Sequence, residues 1–481
     1  MKNNRSLMLM LVLLLPLLFL YINDAHDWGD DFAAFIAQAK AILEGKPYFQ
    51  TGFVPNLEKP DLVASPIGWS LLLLPVVGVF GTNIIAMKVY LSFFYVLWGI
   101  ILFVLFRGKK ETILAILVVV FTLYYPWLLS FKSEVVSDIP FAATFALSLF
   151  SIQKINPRTN LIHCVLIGLL LGLCCLIRPI GFILFAAMAF LFFIRKEYSI
   201  YFSKYATVGV AALLLLFVIR NIIFPCEGAY GHYYSFFGRD LVFNVTQNSL
   251  FYFSEWERFW MDLTTKALLK NVFLFSSCAL LLYGTVRCLW RKNVYAFTVL
   301  LYLVIVLIWP YRNQGFRFVF PVLPFLVYVV FERLLHILQA IRPSFTWLAY
   351  GIICGLITLS ITSDHSTCNN YVKDTGSQTV TAKAMYSYIE RNIPNDARVV
   401  FPKPRVLCLY SSVHALYPMA NMNFEQMQDA YTRYQVKYFV RSKNAGLECY
   451  NGVYTNYIDS MEKRKVLLWS NTDFEVYKRK P

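Results

Sequence analysis

Two acidic pairs and a few arginines stand out in a chain of 481 residues that is otherwise strongly apolar. Asp30 and Asp31 occur in HDWGDDFAAFIAQAKAILEGKPY. A carboxylate that faces a cavity can take a proton from an acceptor hydroxyl or amine. The plainer alternative is that the pair caps a helix and complements its dipole. Glu134 and Asp138, in FKSEVVSDIPF, lie four residues apart at a helix start and could face one cavity, with capping again the alternative. Arg312 and Arg317 bracket a turn in PYRNQGFRFVFPVLP. A guanidinium fork suits phosphate because two N–H groups meet two oxygens and the charge cannot be lost; an interfacial Arg among aromatics is the alternative. Arg178, in CCLIRPIG, has no other charge within fifteen residues. Such a charge either holds a partner or ligand, or snorkels to an interface. His232, Tyr233, Tyr234 and Arg239 are candidates to line an acceptor site.

The elements that must position these residues are membrane helices. The chain is 58% apolar and 17% aromatic, with 15% charged residues. Apolar runs of spanning length are read near 6–22, 84–106, 112–129, 137–153, 160–177, 179–194, 205–224, 271–288, 294–310, 317–334 and 346–362. This is a polytopic α-helical membrane protein of about eleven transmembrane helices, its first span a retained anchor. The net charge of +16 does not signal nucleic acid, since Lys and Arg form small clusters between apolar runs.

Those clusters set the orientation. Lys2/Arg5, Arg107/Lys109/Lys110, Lys154/Arg158, Arg195/Lys196/Lys204, Arg287/Arg291/Lys292 and Arg333/Arg342 fall on alternate connections. By the positive-inside rule that side, with the N-terminus, is cytoplasmic. The opposite connection 23–83 holds three Lys against seven acidic residues. The run Ser65–Gly81 would invert this pattern if it crossed, so it is expected to be interfacial or re-entrant. The external regions are then 23–83, 225–270 and a tail from 363 to 481.

Within the first external region, Phe32, Phe35, Ile36, Ala39 and Leu43 recur at helical spacing, which predicts a short amphipathic helix along the membrane surface. In the tail, TAKAMYSYIERNI predicts a helix with Ala384, Tyr388 and Ile389 on one face. Strand-like runs follow at Arg398–Phe401, Val436–Val440, Val466–Trp469 and Phe474–Tyr477, so the tail is expected to be a small α/β domain. Six of the ten cysteines lie in or beside apolar runs as packing residues. No zinc spacing occurs among the others.

Four pieces in order resemble the GT-C superfamily of membrane glycosyltransferases, in particular bacterial members akin to protein O-mannosyltransferases and the aminoarabinose transferases of lipid A. They are Asp30–Asp31 with QAKAILEGKPY, Ser65-Pro-Ile-Gly-Trp69, SEVVSD at 133–138, and RFVFPVLP at 317–324. The tail segments YIERNIPNDARVV and KPRVLCLYS are also similar to the external domain of such enzymes. The resemblance implies a sugar–phosphate–polyprenol donor, inverting transfer to a lipid, protein or glycan acceptor, and an Asp of the first external loop as base. Asp31 is the first choice, then Asp30. Combined with the chemistry of the residues above, the leading reading has Glu134 or Asp138 orienting acceptor or donor and Arg312 or Arg317 holding the donor phosphate, with Arg178 a further candidate for it. The location would be a bacterial inner membrane with an external tail, among membrane lipids. A divalent metal is compatible with this reading, and no motif demands one. Many relatives have Asp-Glu followed by Tyr, where this chain has Asp-Asp and Phe35. No W-W-D-Y-G occurs in the tail, which favours a single sugar over a preassembled glycan.

The chief rival is a transporter or flippase of a lipid-linked sugar. It predicts two related halves and paired broken helices, and the sequence has neither. An oligosaccharyltransferase-like enzyme is the other alternative.

Overall fold

A computed structural model describes residues 2–57, 64–108, 111–195, 198–226, 240–261, 267–310, 315–362, 376–419, 421–443, 447, 451–461 and 464–480. Arg312, His232, Tyr233, Tyr234 and Arg239 lie outside the described residues.

The membrane part consists of α1 (Lys2–Leu14), α2 (Asp30–Leu43), α3 (Ile67–Phe80), α4 (Ile84–Phe106), α5 (Thr112–Leu123), α6 (Pro126–Ser130), α7 (Asp138–Lys154), α8 (Leu161–Ile177), α9 (Ile183–Arg195), α10 (Tyr198–Phe217), α11 (Leu241–Met261), α12 (Ala267–Trp290), α13 (Val294–Ile308), α14 (Leu323–Ile341) and α15 (Thr346–Thr362). By length and composition, five helical stretches among the described residues can cross a bilayer: Ile84–Phe106, Tyr201–Ile223, Asn271–Trp290, Leu323–Ile341 and Pro343–Thr362. A sixth is the pair 112–123 and 126–133, bent by 59° where Tyr125–Pro126 breaks the ladder. This is fewer than the eleven expected from apolar runs. The remainder are shorter because Pro and 3₁₀ turns interrupt them, as at Pro179–Phe182 before α9. A turn at Gly315–Phe318 likewise delays α14 to Leu323 and leaves Arg317 in the turn rather than in a span.

Two local expectations need correction. Helix α2 is not a surface helix with one wet face. Residues 32–39 are all buried, because α3 covers one side and the tail another. Leu43, expected on the apolar face, is exposed at the C-terminal end of the helix. Gln38 donates to the Ser65 carbonyl and accepts from Ser70, tying α2 to α3. Helix α3 has 14 residues and so rises about 21 Å, short of a hydrocarbon core of about 30 Å. That length accords with a segment that does not cross.

Close helix contact comes from small residues. Gly168 and Gly172 put two bare turns of α8 against α10: a Cβ on Gly168 would lie 2.5 Å from the Val208 carbonyl oxygen, and one on Gly172 3.0 Å from that of Ala212. Gly68 brings α3 equally close to the end of α8, where a Cβ would meet the Ile177 nitrogen at 2.4 Å.

The tail holds α16 (Val380–Asn392), β1 (Arg398–Val400), α17 (Pro404–Tyr410), β2 (His414–Leu416), α18 (Phe424–Arg433), β3 (Val436–Ser442), α19 (Asn451–Ser460), β4 (Lys465–Ser470) and β5 (Phe474–Arg479). They build one sheet of order β2-β1-β3-β5-β4. Strand β1 is parallel to β2 and β3, while β5 is antiparallel to β3 and β4. The four expected strands are present, and the added one, β2, is three residues long at the sheet edge. On α16 the buried face is Ala382, Met385, Tyr386 and Ile389, so the expected face is rotated: Ala384 is exposed and Tyr388 only half-buried. The first external loop joins the sheet. Phe53 bridges Ala415 in parallel, with Val54 N–H donating to the Ala415 carbonyl and Ala415 N–H to that of Gly52. One face of the sheet therefore shares a continuous apolar core with the membrane helices.

Candidate active site

The chain reaches its acidic residues through a braced loop. Lys88 of α4, buried, donates to Asn23 Oδ1 and the Ala25 carbonyl. Lys132 donates to the Leu17 and Leu20 carbonyls at the end of the first span. The Lys132 ammonium here takes up carbonyls that a helix end leaves unpaired. His26 accepts the Val135 N–H on Nε2, so its Nδ1 carries the proton toward Asp27, 2.8 Å away. Asp27 Oδ1 in turn accepts the N–H of Gly29, the N-cap of α2. Burial acts to raise the Asp27 carboxyl but is outweighed by His26, the Gly29 N–H and Lys403, which together lower it.

This brace presents Asp30 and Asp31 on the first turn of α2, whose N-cap is Gly29, so neither aspartate is the cap residue. Their side chains go to other partners. Asp31 Oδ2 is 2.7 Å from Arg317 Nη2, and Arg317 Nε is 3.0 Å from Asp138 Oδ2. Arg178 Nη2 meets the same Asp138 oxygen at 2.6 Å, while its Nε donates to Ser137 Oγ at 3.1 Å. Four carboxylate and arginine positions far apart in sequence are thus chained as Asp31–Arg317–Asp138–Arg178. Asp138 is fully buried, whereas the Asp31 side chain is 41% exposed and Arg317 21%. Asp31 and Arg317 are therefore the members a substrate can touch.

Electrostatics separate the acids. Burial acts to raise the Asp31 carboxyl, and Arg317, Arg405 and Arg178 outweigh it, leaving it below the usual range. Asp30 is the reverse. Its burial prevails over Arg405, Lys403 and the Tyr417 hydroxyl that donates to Oδ2, so its carboxyl is raised, and Oδ1 is buried without a hydrogen-bond partner. Glu134 is pushed up to about 8, first by burial and then by the Asp27, Asp138 and Asp31 carboxylates, against the pull of Arg317. Neighbouring acids are thus shifted in opposite directions, the arrangement that separates a base from a proton carrier.

Sequence reasoning brought Asp31, Asp138, Arg178 and Arg317 forward, and the structure joins them. It missed the contribution of the tail. Lys403 and Arg405, at the start of α17, act on Asp27, Asp30 and Asp31. Arg405 is buried and lies over the Phe53 ring, 4.8 Å from its centroid. Tyr417 reaches Asp30, and its carbonyl accepts from Asn56 of the first loop. The signal available was the KPR triplet at 403–405, basic residues beside a region rich in acids. In this cluster the Oδ2 atoms of Asp31 and Asp138 hold guanidinium groups, while Asp138 Oδ1 is buried without a hydrogen-bond partner among the described residues. A cavity of about 750 Å³ lies beyond it, between the second half of α2 and the tail, with Lys40, Phe53, Glu390 and Tyr410 in its walls.

No protein-family profile and no curated protein matches the chain by sequence. The fold does match solved structures. ArnT from Cupriavidus metallidurans bound to undecaprenyl phosphate is similar over 98% of this chain and 97% of that one, with a TM-score of 0.58 at 12% identity. The archaeal oligosaccharyltransferase AglB from Archaeoglobus fulgidus, in complex with an inhibitory peptide and a dolichol-phosphate, is similar over 93% of this chain and 71% of that one, with a TM-score of 0.58 at 13% identity. The Archaeoglobus fulgidus oligosaccharyltransferase in complex with Zn and sulfate matches over 99% and 73%, with a TM-score of 0.59 at 15% identity. Both proteins have the fold of GT-C membrane glycosyltransferases, and this chain shares that fold.

Proposed function

We propose that this protein is a membrane glycosyltransferase that moves a sugar from a polyprenyl-phosphate carrier to an acceptor on the non-cytoplasmic side. The observation that carries the reading is the pairing of a partly exposed Asp31 with Arg317, backed by the fully buried Asp138. It supplies a base and a phosphate ligand side by side, in a fold whose solved representatives were captured with undecaprenyl phosphate or dolichol-phosphate.

In this reading the donor phosphate meets the Arg317 guanidinium, drawing it from Asp31 and freeing that carboxylate for the acceptor. The acceptor hydroxyl or amine gives its proton to Asp31 and attacks the anomeric carbon. The bond from that carbon to the phosphate oxygen breaks with inversion, and the polyprenyl phosphate leaves with the bonding electrons, its charge held by Arg317. Arg178 is a positioning residue, since both of its recorded polar contacts hold the Ser137–Asp138 turn. Asp30 and Glu134 set the proton inventory around the base. Arg312, His232 and Tyr234 remain proposals for donor phosphate and acceptor binding. The tail, from 363 onward, is proposed to be external and to close the site through Lys403, Arg405 and Tyr417. The transporter reading finds no support among the fold relatives. The test is mass spectrometry of lipid A, secreted proteins and surface glycans from cells with and without the protein. A fixed sugar mass that disappears with the gene from one class is the expected outcome, and identical spectra in every class would overturn the reading.

A further inference from the structure

The other end of α14 carries a second group of titratable side chains that the transfer reaction does not use. Tyr328, Glu332 and His336 follow one another at i, i+4, i+8, so they form a stripe along one face of the helix. Glu111 faces this stripe from the N-cap of α5. It makes no side-chain cap hydrogen bond there and turns its carboxylate away from the helix it begins. Its Oε2 accepts from the Tyr328 hydroxyl at 2.9 Å, and its Oε1 stands 3.7 Å from His336 Nε2. The last distance is too long for a hydrogen bond. Glu332 has Oε2 occupied by Arg333 Nη2 at 2.5 Å. His336 Nδ1 is shielded from solvent and has no hydrogen-bond partner among the described residues. One ligand atom from each of Glu111, Glu332 and His336 lies within 4.8 Å of the other two.

We propose that Glu111, Glu332 and His336 form a binding site for a first-row divalent cation of the Zn²⁺ type, at the opposite end of α14 from the acid–arginine cluster. Each carboxylate has one oxygen held by a neighbour, Tyr328 or Arg333, and the other open. That is how outer partners orient metal ligands. Ligands of a tetrahedral zinc ion sit about 3.4 Å apart, so the group closes on a cation by small side-chain rotations. An imidazole with two carboxylates favours such an ion over Mg²⁺, which requires oxygen ligands in near-ideal octahedral geometry. The ion would pin the start of α5 to α14, whose other end leads to the Arg317 turn.

The experiment needs no transfer activity. Full-length protein in detergent is stripped of metal and equilibrated with Zn²⁺ against a chromophoric chelator. Wild type is expected to retain about one equivalent more than Glu111→Gln or His336→Gln, and to gain thermal stability with Zn²⁺ that both variants lack. Asp31→Asn, altered at the other cluster, should match wild type in zinc content. Co²⁺ added to wild type should give the visible absorption of a low-coordinate nitrogen–oxygen site, a measurement that does not depend on any variant folding. Equal zinc content in wild type and both variants, a Co²⁺ spectrum no different from the free ion, or displacement of Zn²⁺ by Mg²⁺ would each overturn the proposal.

Discussion

The protonation states of neighbouring acids decide what this site can do, and each is open to a substitution. Asp31 is partly exposed and Arg317 also holds Asp138, so an Asn at 31 removes a base while the guanidinium keeps a carboxylate partner. Asp31→Asn is expected to melt near wild type while transfer falls about a hundredfold or more, the range for a lost general base; an active Asn variant would remove Asp31 from that role. Arg317 bridges two carboxylates through Nε and Nη2, a geometry that a single ammonium cannot reproduce. Arg317→Lys should therefore weaken donor binding more than acceptor binding, as read from separate titrations on purified protein. Glu134 gives a pH signature. With a folded value of about 8 against an ordinary 4.5, it binds more protons folded than unfolded between those limits. Stability from this group is thus fully present at acid pH and is lost as pH rises from 4.5 to about 8. Glu134→Gln, which mimics the protonated acid, should flatten that part of the melting-temperature profile; an unchanged slope would assign it to other groups.

The paired helices α8 and α10 hold the frame behind Arg178, which ends α8. Without a hydrophobic drive between helices in lipid, close backbone approach over small residues supplies packing. Gly168 and Gly172 provide it. Gly168→Leu should separate the helices, cutting folded yield in detergent severalfold, whereas Gly351→Leu, where no atom lies within 4 Å of the added Cβ, should be tolerated. Equal yields from the two would show that the α8–α10 approach is not limiting. At this scale the sequence was legible wherever one period continued. The strands of the tail and the long apolar helices announce themselves. The buried face of α16 was misplaced by one position class because its packing partner, not its own pattern, selects the face. Helix α2 was misread as amphipathic because the tail that covers its second side is nearly four hundred residues away in sequence.

Across the whole molecule, the acid–arginine cluster sits at the end of α7 that begins with Asp138, while the other end, at Lys154, lies with the basic connections. Arg195 donates there to the Gln153 and Ile155 carbonyls. That separation of charge supports the proposed orientation, with the tail outside. A thiol engineered at an exposed tail site such as Lys383 should react in intact cells with a reagent that cannot cross the cytoplasmic membrane. Protection until the cells are lysed would reverse the topology. Because the tail shares a core with the first loop and contributes Tyr417, Lys403 and Arg405 to the acids, it is part of the site and not an appended module.

Residue type and spacing were enough to read a membrane protein, its charge asymmetry, the acidic pair at a helix start, the isolated Arg178 and the strands of the tail. These follow from local rules, since hydropathy, charge and period act within a few turns of the chain. Which acid keeps its charge was not readable, because it depends on groups brought together from positions 31, 138, 178, 317 and 405. The lengths of the spans were not readable either, because a break at a proline or a 3₁₀ turn leaves the composition of an apolar run unchanged. Tertiary structure decided both, since field and burial depend on distance in space, which sequence separation does not measure.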